Sequence, residues 1–113
     1  MKVLVCGGRN YDDKATLYSK LDNLETRPTV IIHGAARGAD SLAGQWAKDR
    51  GIPVDVFPAD WDTHGRSAGY IRNKQMLVEG KPDLVIAFEG GKGTENMVTL
   101  AERAKVPVIR IEV

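Results

Sequence analysis

The chain has 113 residues, 16 basic against 15 acidic side chains, a net charge of +1 and 42% hydrophobic residues. That length supports one core but no second lobe, and the balanced charge excludes a whole-surface nucleic-acid or membrane binder, so any basic site must be local. Cys6 is the one cysteine, which rules out an intramolecular disulfide, and no apolar run approaches ~18 residues. With strand-like residues directly after Met1-Lys2, the expectation is a cytoplasmic protein with no membrane partner.

The first β-branched run, residues 3–6, empties into Gly7-Gly8-Arg9-Asn10, and Leu17, Leu21 and Leu24 then mark one face of a helix. A second run, residues 29–33, empties into Gly34-Ala35-Ala36-Arg37-Gly38, followed by a helical stripe of Ala39, Leu42, Ala43, Trp46 and Ala47. After a third strand at residues 54–57, residues 58–73 carry polar, aromatic and cationic groups together. They read as a binding loop feeding a helix whose first turns bear Arg66 and Arg72, with Trp61 as an apolar plug or oligomer contact. A fourth strand, residues 84–88, empties into Glu89-Gly90-Gly91-Lys92-Gly93-Thr94. Met97, Leu100, Ala101 and Ala104 mark the next helix, and residues 106–111 form the last strand. Strands alternating with helices of this length predict an α/β, Rossmann-like three-layer sandwich. Its central parallel sheet has about five strands with helices on both faces, and residues 1–113 form one domain.

Three glycine turns after three strands crowd one rim of such a sheet, where ligands of open parallel sheets sit. Glycines let backbone N–H groups approach an anion closely, and a helix start adds partial positive charge. Phosphate is therefore expected on the backbone of residues 91–94, with Thr94 donating a hydroxyl hydrogen bond and Arg72 a planar fork. Gly7, Gly8, Arg9, Asn10, Gly34, Ala35, Arg37, Gly38, Asp40, Arg66, Asn73, Gly90, Gly91, Lys92 and Gly93 complete the candidate ligand-binding set. Asp40 suits either ribose hydroxyls or the dipole of its own helix start, and His33 suits either a base or a backbone hydrogen bond. Cys6, at the end of an apolar run, reads as a buried reduced thiol. His64 with Asp60 and Asp62 has no further partners at metal-site spacing, so neither metal nor cofactor is expected.

Taken together, the glycine-turn segments, Pro58-Ala59-Asp60-Trp61 and Gly69-Tyr70-Ile71-Arg72-Asn73 resemble, in order along nearly the whole chain, the small YspA-related SLOG family of bacteria and phages. That family belongs with Lonely-Guy-type and Smf-type Rossmann-like proteins. The resemblance implies a nucleotide or nucleotide-derived small-molecule ligand and homodimers or larger homo-oligomers. Lonely-Guy-type phosphoribohydrolases cleave the N-glycosidic bond of nucleoside monophosphates with an arginine on the third helix and a glutamate after PGGxGTxxE. Arg72 matches the arginine, but Met97 stands at the glutamate and Glu89 at the proline. A thioether can neither accept a proton nor stabilise an oxocarbenium-like centre.

Two classes of function remain. The favoured one is a module that binds an ADP-ribose-like, NAD-like or cyclic nucleotide ligand as a sensor or by sequestration. The alternative is an N-glycosidic hydrolase that pairs Arg72 with a different acid, drawn from Glu89, Glu95, Asp40 or Asp60. Single-stranded DNA binding ranks third, because balanced charge with two Trp, three Tyr and two Phe leaves little for a stacking groove.

Overall fold

The computed structural model describes residues 1–111. Its core is a five-stranded, all-parallel sheet in the order β3-β2-β1-β4-β5. The strands are β1 (Lys2–Cys6), β2 (Val30–His33), β3 (Val54–Val56), β4 (Leu84–Ala87) and β5 (Val108–Arg110). The last two positions of the expected domain, Glu112 and Val113, lie outside the described residues.

Side-chain alternation along the strands splits the core in two. Val3, Val5, Ile31, Leu84 and Ile86 pack with α1 (Lys14–Asp22) and α2 (Ala39–Asp49) on one face. Leu4, Cys6, Ile32, Val85 and Ala87 pack with Met76 and with Met97, Val98 and Ala101 of α5 (Lys92–Arg103) on the other. The central strands β1 and β4 are covered on both faces, which explains why they read as unbroken apolar runs rather than alternating ones. Burial of these side chains holds the three layers together. The α1–α2 seam is fastened further by Asp22, which accepts from Trp46 Nε1 at 2.9 Å and pairs with Arg50 at 2.9 Å.

The third crossover departs from the expected loop. It is helical from Trp61: α3 (Trp61–His64) runs through a 3₁₀ turn (Gly65–Ser67) into α4 (Ala68–Gln75) and a π turn (Met76–Gly80). Asp60 starts it as an N-cap, its carboxylate accepting from Thr63 N at 3.1 Å, as Asp13 does for α1 through Thr16 N. Arg66 therefore sits in the 3₁₀ turn and Arg72 in the middle of α4. Trp61 is no plug, for its side chain stands exposed. On α5, Ala104 falls at the exposed C-cap, and Val98 takes the core place expected of it.

Because every strand runs the same way, the turns after β1, β2 and β4 emerge at one rim. They touch there: Gly8 N donates to Glu89 O at 2.8 Å and Ala39 N to Gly8 O at 3.2 Å. The chain order reverses between β1 and β4, which makes the crevice between these two strands the topological switch point, where open α/β sheets bind ligands.

Candidate functional site

A cavity of about 380 Å³ opens at that switch point. Its walls come from the β1 turn (Gly7, Gly8, Arg9), from α4 (Gly69, Tyr70, Arg72, Asn73) and from the start of α5 (Gly91, Gly93, Thr94), with Asp40, Trp61 and Arg66 at the sides. Gly91 is the N-cap of α5 and makes no side-chain capping bond, so the first-turn N–H groups of that helix face the cavity edge without an internal cap. Neither Gly91 nor Gly93 has any atom within 4 Å of where a Cβ would stand, and Gly91 has an ordinary negative φ of −106°. These two glycines are thus not demanded by the fold.

Arg72 and Asn73 tie the cavity together. Arg72 donates from Nη1 to Gly34 O at 2.6 Å and from Nε to Asn73 Oδ1 at 3.1 Å. Asn73 Nδ2 in turn donates to Gly93 O and to Asn96 Oδ1, each at 3.0 Å, locking α4 against the first turn of α5. Burial lowers the pKa of Arg72, Asp40 opposes that shift, and the like charge of Arg9 adds to it. A half-buried guanidinium facing a second one is a site short of negative charge.

The turn after β2 works differently from the anion cradle expected of it. Gly34 N and Ala36 N both donate to Asp40 Oδ2, at 3.0 and 3.3 Å, and Ala35 N donates to His33 Nδ1 at 3.0 Å. Those N–H groups are spoken for, so Gly34 and Ala35 offer an anion no backbone donor, and Asp40 organises this turn rather than merely answering its helix dipole. Glycine at Gly34 leaves room for Arg72, whose hydrogen-bonded guanidinium would have to shift from a Cβ standing 2.6 Å from its Cζ. Glycine is required at Gly38 because φ is +77° and the carbonyl of Gly8 crosses directly beneath. Burial pushes the Asp40 carboxyl up to about 6, against the pull of its two N–H donors and of Arg72. Burial likewise depresses His33, whose Nδ1 accepts a hydrogen bond and is therefore unprotonated. The Cys6 thiol, in the cavity floor, is pushed up to about 12 by burial and stays protonated at neutral pH.

The other candidates are scattered around the rim. Asn10 lines a neighbouring depression with Asp12, Asp13, Glu89 and Gly90, and Arg37 lines another with Ala35 and Trp61. Lys92 is exposed, and Thr94 is buried beneath Gly90. Glu89 and Glu95 border a separate hollow, where Glu95 forms a two-pronged pair with Arg110 at 2.8 and 2.9 Å. Met97 is fully buried in the core. Among the described residues Asp40 is thus the only carboxylate lining the main cavity. Among the described residues no group of three or more His, Cys, Asp or Glu could hold a metal, and no helix is long and apolar enough to cross a membrane. Sequence reasoning missed the contact of Arg9 with the Trp61 ring, 5.2 Å from guanidinium to centroid, and the role of Asn96. Aromatic and cationic residues crowded into residues 58–73 were a signal for the first, but nothing in the sequence marked the second.

The model of the YspA, cpYpsA-related SLOG family matches residues 1–64. The chain belongs to this SLOG family. The Gene 61 protein of Mycobacterium phage D29 is 38% identical over 118 residues, covering 96% of this chain and 94% of that protein. Among solved structures, the UDP-GlcNAc 2-epimerase from Neisseria meningitidis bound to UDP-GlcNAc superposes with a TM-score of 0.60 at 23% identity. That match covers 100% of this SLOG chain but 32% of the epimerase, and it speaks to the Rossmann-like fold alone.

Proposed function

We propose that this SLOG protein binds a phosphate-bearing, nucleotide-derived small molecule in the β1/β4 crevice and holds it without turnover, as a sensor or sequestering module. The observation that carries the reading is the uncapped start of α5 facing Arg72 across a switch-point cavity whose lining, among the described residues, has three guanidiniums and one carboxylate. Backbone N–H groups and the helix dipole suit a phosphate, and a charge-assisted fork adds to them. Rossmann-like architecture and family membership are compatible with such a ligand.

Retention without hydrolysis follows from the carboxylates. Glu95 is engaged by Arg110, Glu89 borders other hollows, and Met97 occupies the place of the hydrolase glutamate. General acid–base help contributes about 10²–10⁴ in rate, so its loss leaves any hydrolysis slow. A catalytic reading survives in one form, with Asp40 as the acid, because it lines the cavity and holds its proton to about pH 6.

The test is calorimetry and product chromatography with 5′-AMP and ADP-ribose. Binding without product is expected, and Arg72→Ala should weaken it ten- to a hundredfold, the worth of a charge-assisted bond of roughly 1.5–3 kcal/mol. Unchanged affinity in a folded Arg72→Ala protein overturns the site, and multiple turnovers abolished by Asp40→Asn overturn the binder. The proposal includes self-association, for Tyr70, Ile71 and Val78 expose an apolar strip on α4 and the π turn. Light scattering of Val78→Asp should then report a smaller species than the parent.

A further inference from the structure

Resting on that reading of the α5 site, we infer that the ligand carries a second anionic group, held by Arg37 on the far side of Trp61, so that it is a dinucleotide-like molecule rather than a mononucleotide. Beside the main cavity lies a second hollow of about 330 Å³, formed by the β2 turn with Arg37, by Pro58 and Ala59, and by Arg9, Trp61 and Arg72. The two hollows share Arg9, Ala36, Trp61 and Arg72 in their walls, so they adjoin around the indole, and a ligand that crosses it reaches both. Each alone sits at the low end of the ~300–1,000 Å³ range of small-molecule sites.

Charge gives that crossing its direction. Among the described residues the second hollow is lined by three guanidiniums and no carboxylate, whereas the opposite flank of the β1 turn sets Asp12, Asp13 and Glu89 against Arg9 alone. A polyanion anchored at α5 is therefore drawn towards Arg37 and repelled from the other side. Arg37 has neither ion pair nor hydrogen bond to any described residue, so no partner among them accounts for its charge there. The backbone donors of the same turn are committed to Asp40 and His33, which leaves the Arg37 side chain to hold the anion. Trp61 is 48% exposed in the shared wall, where it meets the base carried by the ribose that joins two phosphates.

Calorimetry with two probes tests this: 5′-AMP, and the linear dinucleotide pApA, which adds one phosphodiester and a second adenosine. The parent protein should bind pApA at least tenfold more tightly than AMP. Arg37→Ala, at an exposed position with no partner among the described residues, should bring pApA close to the AMP level and change AMP affinity by no more than the few-fold its distant field supplies, while Trp61→Ala should weaken pApA more than AMP. Equal affinity of the parent for both probes, or an Arg37→Ala protein that keeps the pApA preference, overturns the second subsite while the α5 site stands. Failure of both probes to bind overturns both. Affinity that keeps rising through longer oligoadenylates overturns the small-molecule assignment in favour of a nucleic-acid groove.

Discussion

Asp40 is the residue at which the fold and the site are most closely joined. Its carboxylate is nearly buried, accepts from two backbone N–H groups and sits close to Arg72, yet burial still raises it from an ordinary 3.8 to about 6. Across that window the folded chain holds a proton that the unfolded chain has released, so stability falls as pH rises through it. The penalty reaches about 3 kcal/mol above pH 6. His33 acts with the opposite sign, because burial lowers its pKa and the unfolded chain takes up the proton first. Comparison with Asp40→Asn isolates the carboxyl, since an amide oxygen can keep accepting from Gly34 N and Ala36 N. In denaturant melts at pH 4.5 and 7.0, the Asn variant should gain on the parent as pH rises, and a constant difference would refute the assignment. The sequence showed an acid in the first turn of α2 but not its role, because spacing does not reveal that the side chain folds back onto residues 34–36.

At the scale of elements, the start of α5 separates the needs of the ligand from those of the fold. Gly93 lies inside the helix with open space where a Cβ would stand. Glycine at a helical position costs roughly 0.5–1 kcal/mol relative to alanine, so Gly93→Ala should melt no lower than the parent and up to a few degrees higher. AMP binding should nevertheless weaken, because the methyl group enters the cavity. A variant that is more stable and binds equally well would place the phosphate elsewhere. Strand–glycine–helix junctions like this one were plain in the sequence, since the apolar run and the helical stripe have different periods. Residues 61–67 were not, because every side chain there is exposed and no stripe exists to read. The local cue was Asp60 followed three residues later by Thr63, a capping pattern rather than a periodic one.

For the whole molecule, alternation of strands and helices foretold the parallel layers but could not give the order β3-β2-β1-β4-β5, which depends on where the third crossover returns. That return creates the switch point, and with it a rim that is mainly cationic on the Arg37 side of Arg9 and mainly acidic on the other, in a chain of net charge +1. The same segregation sets the response to salt. Raising ionic strength from about 10 to 150 mM shortens the Debye length from ~30 to ~8 Å. The field of the exposed Arg9, Arg37 and Arg66 is then cut, while half-buried Arg72 and the α5 backbone are screened far less. AMP affinity should therefore drop a few-fold and then level off, and Arg66→Ala should flatten the initial drop while sparing the plateau. A nucleic-acid groove built on surface cations behaves otherwise, losing affinity on a straight log–log line with salt. Such a line, followed by AMP calorimetry across the same salt series, would assign binding to the exposed arginines and remove the buried crevice from the centre of the function.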